Sequence, residues 1–154
     1  MVRFKFSCKV VNSRSKKSLI EMRDSVETDK VIVTKVDEDI IITTYKEAAV
    51  LDLIDAKELD SVYVTMSQGN DVFYLVDLTA LNADLTNDAQ SYFSRKARIV
   101  PNIKAAAIVI NTLRGRIVAR FYIQYFKPLY TTKIVGSVEE AKAWFASVRK
   151  EELV

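Results

Sequence analysis

The chain has 154 residues, of which 49% are hydrophobic and 28% charged, and its formal net charge is +3. These proportions are typical of one globular domain, and no apolar run approaches the roughly 20 residues that span a bilayer. The sequence has no histidine and a single cysteine, Cys8. This scarcity argues against disulfide frameworks, thiolate or imidazole metal sites, and catalysis by Ser-His or Cys-His pairs. We therefore expect no enzyme activity, no catalytic residues, no metal site and no cofactor.

The positive charge is concentrated at the N-terminus. Residues 1–30 carry eight Lys and Arg against four Asp and Glu, whereas residues 31–154 carry fifteen against sixteen. The basic cluster at residues 13–18 can contact phosphates or an acidic partner, but a solvated extension explains it better. No nucleic-acid partner is expected, because such proteins present a broader basic face. Residues 1–9 lack the apolar block of a signal peptide, which predicts a cytoplasmic location.

The first predicted elements are β-strands. Residues 3–10 alternate charged and apolar side chains, which is the pattern of an edge strand. Two β-branched runs, Val31–Val36 and Ile40–Tyr45, flank three acidic residues and predict a hairpin. We expect a basic N-terminal extension over residues 1–29 and a single domain over residues 30–154.

Helices and strands then alternate to the end of the chain. Asp52 is a predicted N-cap, with Asp55 at the third helical position, for a helix that runs to about Ser67. Further strands are predicted at residues 72–79, 105–110 and 131–135, and further helices at residues 86–98, 113–126 and from 138 onward. The order predicts an α/β fold whose mixed, mostly parallel sheet is opened by the hairpin and flanked by about four helices.

Six short motifs follow one another over the last 110 residues. They are Asp55–Glu58, Leu75–Thr79, Asp88–Phe93, Arg116–Tyr122, Lys127–Pro128 and Glu139–Phe145. Their order resembles that of the STAS-like proteins related to SpoIIAA, an anti-sigma factor antagonist, which are often grouped with the CRAL-TRIO lipid-transfer fold. The resemblance implies a non-enzymatic bacterial module that acts by docking onto a protein partner.

The resemblance also points to one residue. In the STAS antagonists a strand ends in Asp-Leu-Ser, and the next helix begins with Asp-Ser-Ser-Gly, whose first serine a partner kinase phosphorylates. Here Asp77 begins the matching Asp-Leu-Thr, and Thr86 keeps a hydroxyl at the acceptor position, although Leu85 and Asp88 replace the Asp and the Gly. The resemblance thus implies a phospho-acceptor or partner-contact site at Thr86, with Asp77, Asp84 and Asp88. The residue types alone favour an N-cap at Thr86 and loop-ordering or capping roles for the aspartates.

The helix predicted over residues 113–126 is the sharpest anomaly, because it carries more apolar residues than one buried face needs. Core burial accounts for Phe121, Tyr122 and Tyr125 and leaves Ile123 and Phe126 in surplus. The candidates for an interface or an apolar pocket are Ile117, Phe121, Tyr122, Tyr125 and Phe126. Two functions follow: a module that docks onto a protein partner or a second copy of itself, or a carrier or sensor of an apolar small ligand or lipid beneath this helix.

Overall fold

The computed structural model describes Lys5–Phe6 and residues 25–153. Nine strands are present among these residues: β1 (Lys5–Phe6), β2 (Ser25–Glu27), β3 (Val31–Val36), β4 (Ile40–Tyr45), β5 (Val50–Leu51), β6 (Val72–Asp77), β7 (Asp84–Leu85), β8 (Ile103–Val109) and β9 (Thr131–Val135). Strands β5 and β7 pair with each other, and the other seven form one sheet in the order β1-β2-β3-β4-β6-β8-β9.

Four α-helices connect and follow the strands of this described part. They are α1 (Leu53–Ser67), α2 (Asn87–Ser91), α3 (Leu113–Phe126) and α4 (Val138–Glu152). Helix α2 continues as a π-helical turn over Tyr92–Lys96, and a 3₁₀ turn at Val100–Asn102 precedes β8. The predicted order of strands and helices from β3 to α4 is therefore confirmed.

The sheet is mixed, as predicted. Strands β1 to β4 pair antiparallel, whereas β4, β6, β8 and β9 run parallel to one another. Parallel pairing predominates because two of the antiparallel strands, β1 and β2, contain only two and three residues. The fold class read from the sequence is thus confirmed.

Three short strands depart from the expectations. Strand β2 falls inside the predicted extension and pairs with β3, so the sheet begins before residue 30. Strands β5 and β7 pair with each other in segments that were expected to be connections without regular structure. Strands of two or three residues are too short to show a periodicity, which is why the sequence did not reveal them. Lys5–Phe6 pairs with β2 within the predicted edge strand, while the basic cluster at residues 13–18 lies outside the described residues.

Helices cover both faces of the sheet. Along β8, Ala106 and Ile108 point to the side of α1, α2 and α3, whereas Ala105, Ala107 and Val109 pack against α4. This alternation follows from the two-residue repeat of a strand. The apolar run in β8 is therefore buried on both faces, as expected for a parallel strand inside an α/β fold.

Helix α4 is held to the hairpin by charge. Arg149 forms a two-point ion pair with Asp39, in the acidic turn between β3 and β4, and its guanidinium lies 4.8 Å from the ring centre of Phe73.

At the start of α4 the Ser137 hydroxyl accepts a hydrogen bond from the Glu140 N–H at 3.1 Å. The spacing of Ser137 and Glu140 in the sequence is that of a capping box, which is only half formed, because the Glu140 carboxylate accepts from the N–H of Gly136 at 2.9 Å instead of closing the reciprocal bond.

Candidate functional site

Helix α3 rests on the sheet through its smallest residues. Ala119 is its only fully buried residue, and Gly115 lies so close to Ile110 that an added Cβ would be 2.4 Å from that side chain's Cγ2. The side chain of Thr112 caps the helix by accepting from the Gly115 N–H at 3.1 Å. The inner face of α3 is therefore selected by close backbone approach and not by the largest apolar side chains.

This packing corrects the expected burial of the helix. Phe121 and Tyr125, expected in the core, are 63% and 68% exposed, whereas Ile123 and Phe126, expected to be surplus, are half-buried. Tyr122 packs against the cluster that contains Ala119 and is half-buried. The expectation was wrong because apolar residues on nearly every side of a helix do not indicate which face packs on the sheet, and the sheet admits the face that carries Gly115 and Ala119.

A cleft of about 620 Å³ lies between α3 and the sheet, where the sequence analysis expected an apolar pocket. We call it the α3 cleft. Its floor is formed by Tyr74, Val76, Ala106 and Ile108 of β6 and β8, and its far wall by the loop from Leu78 to Leu85. Its roof is formed by α3 residues, chiefly Val118, Ala119 and Tyr122. A cleft of this volume is within the range of small-molecule sites, which are mostly apolar with a few polar groups.

Four tyrosines contribute to the wall of the α3 cleft, and protein groups satisfy three of them. The Tyr74 hydroxyl donates to the Tyr63 hydroxyl at 2.8 Å, which is itself 2.7 Å from the Thr43 hydroxyl. The Tyr130 hydroxyl donates to the carbonyl of Phe93 at 2.9 Å and interacts with Tyr122. Burial raises the pKa of Tyr74 to about 12, so these phenols stay protonated and neutral at physiological pH.

Tyr45 is the exception. It is 3% exposed and lines the cleft, yet its hydroxyl has no hydrogen-bond partner among the described residues. Burial, with smaller contributions from neighbouring tyrosines and Asp84, raises the pKa of this phenol well above its ordinary value. Nearly all buried polar groups in proteins have a partner, so a neutral phenol left without one is a donor available to a bound molecule.

The two ends of the α3 cleft differ in charge. Asp84 lines it near Tyr45, and Arg114 lines it at the N-terminus of α3, together with Asn111 and Thr112. Arg114 is exposed and forms no ion pair within the described part of the chain. The helix dipole adds positive potential at the same end.

The opposite side of α3 is an exposed apolar surface. Leu113, Ile117, Phe121 and Tyr125 recur every four residues and form what we call the outer stripe; each is more than half exposed. The rings of Phe121 and Tyr125 stack with centroids 5.6 Å apart and an interplanar angle of 9°. Of the residues predicted for an interface or pocket, Ile117, Phe121 and Tyr125 thus lie on the outer stripe and only Tyr122 lines the cleft. Phe126 is half-buried against the rings of Tyr122 and Tyr125.

The residues that the family resemblance singled out lie around α2. Thr86 is the N-cap of α2, and its hydroxyl accepts from the Ala89 N–H at 3.3 Å. Asp77 orders the following turn, accepting from the N–H and hydroxyl of Thr79 at 3.0 and 2.7 Å. Asp84 and Asp88 are exposed, and of these four residues only Asp84 lines the α3 cleft. A partner-contact or phospho-acceptor role for Thr86 stays a prediction.

Tyr45 and Val118 line the cleft but were not predicted to. For Tyr45 the signal was present, because alternation along β4 puts it on the same side as Ile41, the side of α1. Val118 had no such signal, since its position depends on which face of α3 meets the sheet. Arg114, with Gly115 and Arg116, was a weak candidate for binding an anion at the start of this helix, and it lines the cleft. Residues 25–153 contain no cluster of three or more acidic, cysteine or histidine side chains suited to a metal ion. No helix in that range is both long and apolar enough to cross a bilayer.

Comparison with known proteins supports the fold and adds a family. The search of curated proteins finds no match. Among solved structures, the chain is similar to an uncharacterised protein of the DUF3478 family with a SpoIIAA-like fold from Shewanella loihica PV-4. The TM-score is 0.54 at 14% identity, over 74% of this chain and 90% of that one. At this identity the likeness concerns the fold alone, which is SpoIIAA-like. Residues 34–149 match the model of a domain of unknown function, DUF7793, and the chain therefore belongs to that family.

Proposed function

We propose that this protein is a non-enzymatic interaction module that docks onto a protein partner through the outer stripe of α3. The observation that carries the proposal is a continuous apolar surface on a helix of which only Ala119 is fully buried. Contiguous apolar patches on a protein surface mark interaction sites. A helix that presents one apolar stripe is suited to insertion into a groove of another protein.

The charges beside the outer stripe define the partner. Helix α3 carries Arg114, Arg116 and Arg120 and no acidic residue. None of the three arginines has an ion pair among the described residues. Charge complementarity therefore favours an apolar groove with an acidic rim. A second copy fits less well, because a two-fold contact through α3 would bring two sets of arginines together.

The test compares two matched substitutions of exposed apolar residues. Phe121→Ser removes the centre of the outer stripe, whereas Ile54→Ser makes the same kind of change on α1, where Ile54 is equally exposed. Proteins captured from the native host by the wild type are purified and titrated against both variants by calorimetry. We expect a one-to-one complex that Ile54→Ser preserves and Phe121→Ser weakens at least about tenfold, the effect of losing a central aromatic contact.

Two results would contradict the docking proposal. One is a complex equally stable with both variants, which would locate the contact elsewhere. The other is a dimer of the purified chain in analytical ultracentrifugation that Phe121→Ser dissociates, which would make a second copy the occupant of the outer stripe.

A second function is favoured by a different observation, the α3 cleft. A space of about 620 Å³ with an apolar floor and roof is suited to a small apolar molecule. On this proposal the protein carries or senses such a ligand beneath α3. The two functions are compatible, because none of the four outer-stripe residues lines the cleft.

A further inference from the structure

The α3 cleft has an apolar body with a different polar group at each end. Val76, Ala106 and Ile108 form the floor opposite Val118 and Ala119, so the middle of a bound molecule must be apolar. Two polar groups of the lining are distinctive: Tyr45 is buried without a hydrogen-bond partner among the described residues, and Arg114 is the only basic residue among those that line the cleft. Those two neighbourhoods specify what the ends of the ligand must be.

The Tyr45 end is suited to a neutral hydrogen-bonding group. The Tyr45 phenol is 3% exposed, is neutral at physiological pH and has no partner among the described residues, so it offers a donor inside the cleft. Asp84 lines the same region and exerts its negative charge on Tyr45. An anion would be repelled there, whereas a hydroxyl group can accept from Tyr45 and donate to a carboxylate.

The Arg114 end is suited to an anion. Arg114 is an exposed residue of the cleft lining, lies in the first turn of the 14-residue helix α3 and has no ion pair in the described chain. The positive end of the helix dipole and the guanidinium both attract an anion that binds at this first turn. A carboxylate matches the planar donor fork of arginine.

We propose that the α3 cleft binds an apolar monocarboxylic acid that also carries a hydroxyl group, with the carboxylate at Arg114 and the hydroxyl at Tyr45. This inference rests on the ligand-carrying function and adds the chemical class of the ligand. It does not depend on docking through the outer stripe, because none of Leu113, Ile117, Phe121 and Tyr125 lines the cleft.

Three probes of equal chain length separate the contributions: ω-hydroxydodecanoate has both polar ends, dodecanoate lacks the hydroxyl, and dodecanol lacks the carboxylate. Each is titrated into the full chain by calorimetry at neutral pH and below its aggregation concentration. We expect one site per chain and the tightest binding for ω-hydroxydodecanoate.

Two substitutions assign the ends. Tyr45→Phe should weaken ω-hydroxydodecanoate about fivefold, as one neutral hydrogen bond predicts, and leave dodecanoate unchanged. Arg114→Gln should weaken both acids about three- to tenfold and leave dodecanol unchanged. Arg120→Gln is the matched control, because Arg120 is exposed on the same helix but does not line the cleft. Tyr45→Phe removes no protein hydrogen bond, so circular dichroism and melting should match the wild type.

The possible results test three claims separately: the ligand class, the carrier function and the position of the carboxylate. Acids that bind equally well to the wild type, Tyr45→Phe and Arg114→Gln would overturn the proposed ligand class while dodecanol binding still supported an apolar carrier. Failure of all three probes to bind would overturn both the class and the carrier function. An Arg120→Gln effect as large as that of Arg114→Gln would overturn the assignment of the carboxylate to the mouth of the cleft.

Discussion

Helices α1 and α3 lie on the same face of the sheet and have nearly the same length, 15 and 14 residues, yet their burial is opposite. Helix α1 has one aromatic residue and buries eight side chains, including Asp55 and Asp60. Helix α3 has four aromatic residues and buries only Ala119. Apolar content therefore does not decide which helix joins the core of this protein.

Directional polar contacts explain the difference. Asp60 has no exposed surface, and its carboxylate accepts from the Arg98 N–H at 2.9 Å, the Ile99 N–H at 3.0 Å and the Tyr92 hydroxyl at 2.8 Å. Asp52 and Asp55 form a reciprocal capping box at the start of α1. Such bonds fix α1 against the π-helical turn and the segment after it, whereas α3 relies on Thr112 and the close approach of Gly115. Helix α3 therefore lies over the cleft on one side and leaves the outer stripe exposed on another.

The largest expected effect comes from breaking the anchor of α1. Asp60→Ala leaves the buried Ile99 N–H, the partly buried Arg98 N–H and the Tyr92 hydroxyl without their acceptor, so urea denaturation should show a loss of about 3–5 kcal/mol in the free energy of unfolding. Asp71→Ala, an exposed acid in the loop after α1, should change it by less than about 0.5 kcal/mol. A loss for Asp60→Ala below about 1 kcal/mol would refute the view that this carboxylate anchors α1.

A smaller effect is expected where α3 meets the sheet. Gly115→Ala would put a Cβ 2.4 Å from Ile110 Cγ2 and 2.8 Å from Thr112 Oγ1. We expect the strain to lower the free energy of unfolding by about 1–3 kcal/mol, although alanine is the better helix former. Gln124→Ala, an exposed change in the same helix, should be neutral or slightly stabilising. A stabilised Gly115→Ala variant would show that α3 is not held by this close approach.

The smallest effect is expected on the outer stripe. Phe121→Ser removes an exposed aromatic side chain of the outer stripe but no core contact, and phenylalanine and serine have similar helix propensities. Urea denaturation should therefore detect a change below about 0.5 kcal/mol, while calorimetry shows partner binding weakened at least about tenfold. A loss above about 2 kcal/mol would instead mean that Phe121 belongs to the core of the folded chain.

Local patterns in the sequence account for the main elements and their order. The hairpin of β3 and β4, the N-cap of α1, the bounds of α3 and the alternation that gives a mixed, mostly parallel sheet all depend on local patterns of at most a few turns. Such a pattern leads to the same helix or strand wherever the surrounding structure buries one face of that element. The same local information also indicated that the helix after β8 carries too many apolar residues for an ordinary surface helix.

The face of α3 that meets the sheet, and the cleft beneath it, depend on tertiary contacts that no local pattern contains. Gly115 and Ala119 set that face because backbone approach is limited by the smallest side chains, a constraint that depends on Ile110 as much as on α3. The missing partner of the Tyr45 hydroxyl and the buried role of Asp60 are likewise facts about distant neighbours. Contacts between residues far apart in the chain leave no periodic signal, so the α3 cleft and the outer stripe emerged only when the fold brought their parts together.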